Sequence, residues 1–136
     1  MNFIVVGCGR VGAELSFRLF KNGHQVVIVD SDQKAFNRLH PDFRGRVVEG
    51  EALSSDALSR AGVEKADGVA VVTNSDTMNA VIGHTIRTHY PNVKQVIVRN
   101  YDPAMREMLE AFGLQLVSST AWGAERVQEL LIDPSF

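Results

Sequence analysis

The residues with the clearest chemical meaning are three glycines close to the N-terminus. Gly7, Gly9 and Gly12 fit the pattern G-x-G-x-x-G, between an apolar segment typical of a strand and a segment with helical spacing. In this pattern the first glycine allows a tight turn, the second lets a phosphate approach the backbone, and the third lets helix and strand pack closely. The helix N-terminus adds unpaired N–H groups and about half a positive charge. The motif therefore predicts a phosphate-binding loop; the alternative is a tight turn without a ligand.

The acidic residue that accompanies this pattern follows the second apolar segment. Asp30 ends that segment, and its carboxylate can accept both hydrogen bonds of a ribose diol. A 2′-phosphate would meet this carboxylate, and the next residues, 31–33, include no arginine that could neutralise the phosphate. The sequence thus predicts NAD(H) or an adenine nucleotide with free ribose hydroxyls as the ligand, and not NADP.

The other reactive side chains do not form a catalytic or metal-binding set. Tyr90 and Lys94 match a Y-x-x-x-K pair, but Pro91 lies between them, where the helix is expected to end. His84 and His89 are not spaced for one helical face, and no cysteine or carboxylate completes a set of metal ligands. The sequence predicts no catalytic residue and no metal site.

Short apolar segments rich in Val and Ile alternate with longer amphipathic segments along the whole chain. Strict alternation with short connections predicts right-handed crossovers and a parallel sheet covered on both faces. The expected fold is α/β: a single Rossmann-type, doubly wound parallel sheet of six strands, with helices on both faces. Strands are predicted at 3–6, 25–29, 46–49, 68–72, 95–98 and 115–117, and helices at 9–21, 32–40, 54–62, 75–89, 102–113 and 119–131.

The composition is that of one globular domain. The chain has 136 residues, of which 45% are hydrophobic and 22% charged. A net charge of −2 excludes a broad basic surface, and with it nucleic-acid binding, and the longest apolar runs are far shorter than the roughly 20 residues of a transmembrane helix. We expect a nucleotide-binding domain over 1–132 and a tail over 133–136.

A single cysteine, Cys8, cannot form an internal disulfide, which favours a reducing compartment. Because Cys8 lies inside the glycine loop, at the start of a helix, its thiol pKa could be lowered. The alternative, which we favour, is a small side chain that fills a crowded turn.

Five motifs occur in a characteristic order: GCGRVG at 7–12, VD at 29–30, VEGEA at 48–52, ADGVAVVTNSD at 66–76 with Asn79, and VRNYDP at 98–103. Together they make the chain, over 1–131, resemble the N-terminal nucleotide-binding domains of potassium-transport regulators, a family called RCK, KTN or TrkA-N. The family's usual Asp is replaced by Glu51 in this chain. The longer side chain keeps the acceptor but shifts its position, which affects nucleotide preference.

The resemblance implies a Rossmann domain that senses NAD(H), ATP, ADP or AMP at the glycine loop and catalyses no reaction. By position in the family's motifs, it assigns the following residues to the ligand. Gly7, Gly9, Arg10, Val11 and Gly12 line the phosphates, Asp30 with the adjacent Ser31 holds the ribose, Glu51 and Ala52 border the adenine, and Thr73, Asn74 and Arg99 lie at the mouth of the crevice.

Arg10 has a physical interpretation of its own. A guanidinium in the phosphate loop could pair with a terminal phosphate in one nucleotide and with a neighbouring carboxylate in another, which would make a switch. The alternative is a solvent-exposed arginine on the first helical turn.

The resemblance also implies partners: a homodimer, often assembled into a ring, beneath a membrane potassium channel or transporter. It places the domain in the cytoplasm, peripheral at the inner face of the plasma membrane. Trp122 begins an apolar stripe on the last helix, which would either pack on the core or dock on another subunit. Two alternatives remain: the nucleotide-binding part of an NAD-dependent oxidoreductase that lacks its catalytic domain, and an assembly module with a permanently bound nucleotide.

Overall fold

Six parallel strands form one sheet in the computed structural model, which describes residues 1–133. The strand order is β3-β2-β1-β4-β5-β6, so the chain starts in the middle of the sheet and later crosses from one half to the other. The strands are β1 (Asn2–Val6), β2 (Gln25–Asp30), β3 (Arg46–Glu49), β4 (Gly68–Val71), β5 (Gln95–Arg99) and β6 (Gln115–Val117). The predicted doubly wound fold is confirmed.

Five α-helices connect or follow the strands: α1 (Arg10–Lys21), α2 (Ser55–Ala61), α3 (Asp76–His89), α4 (Arg106–Ala111) and α5 (Ser119–Ile132). The hydroxyls of Ser54 and Ser75 accept hydrogen bonds from backbone N–H groups at the starts of α2 and α3, at 3.2 Å in both cases. These caps define where the two helices begin. The helix α2 ends at Gly62, whose φ of 86° is in the left-handed region that glycine tolerates best.

The core consists of two layers because alternate side chains of each strand point to opposite faces of the sheet. In β1, Ile4 and Val6 contribute to one layer and Val5 to the other. The helices α2, α3 and α4 cover the first layer, and α1 covers the second together with a short 3₁₀ helix, Gln33–Arg38. Both faces of the central strands are therefore shielded from solvent.

The segment predicted as a helix over 32–40 is this shorter 3₁₀ helix. The Asp32 carboxylate accepts a hydrogen bond from the backbone N–H of Lys34, and Leu39 is already extended, with φ −65° and ψ 142°. The helix therefore ends before the residue preceding Pro41, since a proline disfavours helical geometry one position earlier. Further 3₁₀ helices at Val63–Lys65 and Pro103–Met105 have no separate periodic signal in the sequence.

The last helix, α5, buries none of the side chains described over 120–132. Trp122 is 63% exposed and Leu131 is 77% exposed. The sequence analysis left two alternatives for the apolar stripe that begins at Trp122. The first of them, packing on the domain's own core, is therefore wrong. Asp133 forms the C-cap of α5, while residues 134–136 of the predicted tail lie outside the described residues.

The packing of α3 allows a matched test of the core. Ile86 is 0% exposed and Val81, on the same helix, is 45% exposed. We expect Ile86→Ala to lower the free energy of unfolding by about 2 to 5 kcal/mol, because it leaves a cavity, and Val81→Ala to change it by less than about 0.5 kcal/mol. Urea unfolding measures both. Similar effects of the two substitutions would contradict the layer assignment.

Candidate functional site

A cavity of about 740 Å³ opens at the carboxyl edge of the sheet. It lies where β1 separates β2 from β4, the point at which the strand order reverses and where open α/β sheets bind ligands. The structure brings together here all but one of the residues that the sequence analysis assigns to the ligand. Those that line the cavity are Gly7, Gly9, Arg10, Val11, Asp30, Ser31, Glu51, Ala52, Thr73, Asn74 and Arg99.

The exception is Gly12, which lies beneath the loop instead of lining the cavity. A Cβ atom on Gly12 would stand 1.7 Å from the carbonyl oxygen of Gly7. Gly12 thus has the packing role expected from its place in the motif, and the phosphate contact implied by the resemblance stays a prediction. Only a residue without a side chain lets α1 start this close to the end of β1.

The glycine loop leaves the N-terminus of α1 open toward the cavity. Gly7 has a φ of 106°, and its N–H donates to the carbonyl oxygen of Val29 at 2.8 Å, which ties the loop to β2. Gly9 is the N-cap of α1 and has no side chain to cap it, and the first turn carries no acidic residue. The unpaired N–H groups and the positive end of the helix are therefore available to an anion.

The Asp30 carboxylate bridges the glycine loop and the segment after β2. Its Oδ2 accepts a hydrogen bond from the backbone N–H of Cys8, and its Oδ1 accepts one from the backbone N–H of Asp32, both at 2.8 Å. Each carboxylate oxygen has a further lone pair, so both can also accept from a hydroxyl group. The two backbone bonds orient the carboxylate for that contact.

Cys8 is 0% exposed, and its Sγ donates to the carbonyl oxygen of Ala35 at 3.3 Å. The pKa of the Cys8 thiol is raised to about 11, chiefly by burial and also by the nearby Asp30 carboxylate, while the Arg38 guanidinium partly opposes the rise. The thiol is therefore protonated at neutral pH. Its environment is that of a small residue filling the turn, and a lowered pKa is excluded.

Asn79 holds the ends of two strands at the cavity. It is 1% exposed, and its Nδ2 donates to the carbonyl oxygens of Thr73 at 3.1 Å and Arg99 at 2.9 Å. Its Oδ1 accepts from the Thr73 backbone N–H at 3.0 Å and from the Thr73 hydroxyl. A single amide side chain from α3 thus sets the separation between β4 and β5 where both reach the site.

The loop after β5 is held from the same helix. The carboxylate of Asp76 accepts hydrogen bonds from the backbone N–H groups of Tyr101, at 3.0 Å, and Asp102, at 2.8 Å. The Arg99 guanidinium lies 4.6 Å from the centre of the Tyr101 ring, a cation–π contact. The first turn of α3 therefore orders the part of the wall that carries Arg99.

Arg38 is the functional candidate that the sequence did not indicate. Its Nη1 lies 3.4 Å from the carbonyl oxygen of Cys8, and its side chain lines the cavity. The sequence argument considered only the residues directly after Asp30, whereas the 3₁₀ helix returns Arg38 to the glycine loop. No local sequence pattern predicts that the chain brings Arg38 back to the glycine loop. The structure adds the following residues to the lining: Val6, Cys8, Val29, Asp32, Ala35, Arg38, Gly50, Val72, Ser75, Met78 and Ile82.

The other sequence candidates lie apart from this cavity. Tyr90 is the C-cap of α3, with a φ of −130°, so Tyr90 and Lys94 do not share a helical turn. Across residues 1–133, no three His, Cys, Asp or Glu side chains come together as metal ligands. Within the same residues, no helix has both the length and the hydropathy needed to cross a membrane.

Comparison with known proteins agrees with this architecture. The TrkA-N domain family matches residues 3–120. The Trk system potassium uptake protein TrkA of Streptomyces coelicolor is 34% identical over 132 residues, which are 97% of this chain and 59% of that protein. The chain thus spans less than two thirds of this relative.

Two solved structures share the fold at lower identity. The GsuK channel bound to NAD superposes with a TM-score of 0.82 at 24% identity, over 98% of this chain and 24% of that chain. The Shewanella denitrificans Kef CTD in its AMP-bound form superposes with a TM-score of 0.81 at 22% identity, over 93% and 77% of the two chains. The Streptomyces relative is named a potassium uptake protein and GsuK a channel, and neither is named as an enzyme, in agreement with the expectation that this domain catalyses no reaction.

The contact beneath the glycine loop is tested with two helical glycines. Gly12→Ala places a methyl group against the Gly7 carbonyl, and we expect it to lower the free energy of unfolding by about 3 kcal/mol. Gly123→Ala is the control, because the space around Gly123 is open. It should raise stability by about 0.5 to 1 kcal/mol through helix propensity. Denaturant unfolding decides, and equal stability of the two variants would contradict the close approach.

Proposed function

The chain belongs to the TrkA-N domain family, and on this basis we propose that it regulates potassium transport by binding NAD(H) or an adenine nucleotide, ATP, ADP or AMP, at the glycine loop. The observation that carries the proposal is the Asp30 carboxylate, which two backbone N–H groups hold at the edge of the cavity. The N-terminus of α1, which has no side-chain cap, lies at the same cavity. Bound NAD in GsuK and bound AMP in the Kef CTD support it.

The ligand would lie across the carboxyl ends of the central strands. Its phosphates would accept hydrogen bonds from the N–H groups at the start of α1, with Arg10 beside them. Its ribose hydroxyls would donate hydrogen bonds to Asp30. Glu51 and Ala52 would border the adenine. A cavity of about 740 Å³ is within the range that encloses small-molecule cofactors.

The same carboxylate would select against NADP. Since both of its oxygens accept backbone hydrogen bonds, Asp30 cannot turn away from a 2′-phosphate without losing them. A 2′-phosphate would therefore stand against a fixed negative charge, whereas a 2′-hydroxyl would donate to it. The Arg38 guanidinium, which the structure brings to the neighbouring Cys8 carbonyl, offsets only part of this repulsion.

Regulation would operate through assembly. The apolar side chains of α5, including Trp122 and Leu131, are exposed in the single chain, and a second copy would cover them in a homodimer. Such dimers would associate, in a ring or singly, with a membrane potassium channel or transporter at the cytoplasmic face. The naming of the Streptomyces relative as a potassium uptake protein supports this partner.

Substitution of Asp30 tests the site. Asp30→Ala should weaken the binding of NADH and AMP at least about tenfold, because a charge-assisted hydrogen bond contributes roughly 1.5 to 3 kcal/mol. Isothermal titration of nucleotide-free protein measures the affinity. The matched control is Asp67→Ala, since the Asp67 carboxylate also accepts a backbone N–H, from Asn2 at 2.7 Å, outside the cavity. Unchanged affinity in the Asp30 variant would refute the assignment.

The selectivity against NADP has its own test. NADH at 100 times its dissociation constant should stabilise the protein by about 2.7 kcal/mol, and NADPH at the same concentration should give less than half of that shift. A thermal-shift series with both ligands checks this for the parent protein and for Asp30→Asn, which removes the charge. Equal shifts in the parent protein would contradict the role given to the carboxylate.

A further inference from the structure

A second concave site adjoins the nucleotide cavity on the outer side of α1. This outer groove has a volume of about 420 Å³, and its lining residues are Arg10, Ala13, Glu14, Phe17, Arg38 and His40. Arg10 and Arg38 line both sites, while the other four residues line the groove alone. The two arginines therefore stand at the boundary between a cavity suited to a nucleotide and a separate space.

The walls of the groove are built from α1, from the last residue of the 3₁₀ helix and from the segment that follows it. Arg10, Ala13, Glu14 and Phe17 recur at spacings of three and four, which places them on one face of α1. The Phe17 ring is stacked on the His40 imidazole, with 3.9 Å between ring centres and 7° between planes. This stack joins the two walls at the outer end of the groove.

The positive charges in the groove are poorly neutralised by the protein. Within residues 1–133, the Arg10 side chain makes no hydrogen bond or ion pair, and the Arg38 side chain makes only the 3.4 Å contact with the Cys8 carbonyl. The carboxylate of Glu14 is engaged by Arg18, at 2.9 Å. Two guanidinium groups thus face one space without a carboxylate partner, and such pairs repel each other unless an anion lies between them.

His40 supplies a third donor. Its Nδ1 accepts a hydrogen bond from the backbone N–H of Asp42 at 3.0 Å, with the Asp42 carboxylate 3.9 Å from the same nitrogen. A ring nitrogen that accepts a hydrogen bond carries no proton, so the proton of the neutral imidazole is on Nε2. The groove therefore combines two fixed cations with an imidazole N–H donor.

We propose that the outer groove binds a phosphoryl oxyanion between Arg10, Arg38 and His40, as a second site next to the nucleotide cavity. A guanidinium has five N–H donors, so both arginines can serve an anion in the groove and a phosphate in the cavity at once. Occupancy of one site changes affinity at the other, by the same factor in both directions. Such an oxyanion is either a free ion or the outer phosphate of a longer nucleotide.

The experiment titrates pyrophosphate into protein saturated with AMP, at constant ionic strength, and in parallel compares the affinities of ATP and AMP. His40→Gln and Arg38→Gln should each weaken pyrophosphate binding about tenfold, since each removes a donor to a charged group. His40→Gln leaves AMP affinity unchanged, because His40 lines only the groove. The control is His89→Gln, at the exposed end of α3.

The results identify the source of the anion. Pyrophosphate binding to the AMP-saturated protein, weakened in both variants, indicates a free oxyanion. A loss of ATP affinity relative to AMP in both variants, without pyrophosphate binding, indicates the outer phosphates of a nucleotide. Arg38→Gln keeps the test valid if loss of the stack with Phe17 unfolds the His40 variant.

The proposal is overturned if neither ATP nor pyrophosphate binding responds to the two variants. It is also overturned if pyrophosphate only displaces AMP and binds the His40 variant and the parent protein with the same affinity, because pyrophosphate would then occupy the nucleotide cavity. The inference does not rest on the proposed function, because pyrophosphate can also be titrated into nucleotide-free protein. Absence of AMP binding would contradict the proposed function. The titration of pyrophosphate into nucleotide-free protein would then test the groove by itself.

Discussion

The close approach of Gly12 to the Gly7 carbonyl is the contact on which the site depends. It allows α1 to begin directly at the carboxyl end of β1, so the N–H groups of its first turn face the space between β1 and β4. A methyl group at this position would overlap with the Gly7 carbonyl oxygen and force α1 away from the end of β1. The glycine is therefore a condition for the electrostatics of the loop, although it does not line the cavity itself.

Backbone groups at the site are held by buried or half-buried side chains from neighbouring elements. Asp30 ties the glycine loop to the segment after β2, Asn79 joins the ends of β4 and β5, and Asp76 orders the loop after β5. Hydrogen bonds fix these loops at several points, and those of Asp30 with Cys8 and of Asn79 with Arg99 are partly buried, where such bonds are stronger than in water. The result is a rigid rim, suited to a domain that recognises a ligand.

The rim of the cavity carries charges of both signs. Asp30 provides a negative charge where a ribose would lie, and Arg10 and Arg38 provide positive charges beside the glycine loop. The arrangement is complementary to the proposed nucleotide, in which ribose hydroxyl donors lie next to anionic phosphates. Cys8 stays protonated because burial and the Asp30 carboxylate both raise its thiol pKa, which the Arg38 guanidinium lowers only in part.

The sequence by itself determined the fold class, the strand and helix order, the glycine loop and Asp30, because the glycine pattern, the cap residues and the apolar periodicity are local signals. The family resemblance added Glu51, Ala52, Thr73, Asn74 and Arg99 to the expected site. Tertiary structure alone decided which further groups face that site. Arg38 reaches the loop only because a 3₁₀ helix turns back, and Asn79 acquires its partners only when β4 and β5 pair. It also decided that the stripe beginning at Trp122 stays exposed. Contacts between distant segments depend on how elements pack, and no local pattern of residue types encodes them.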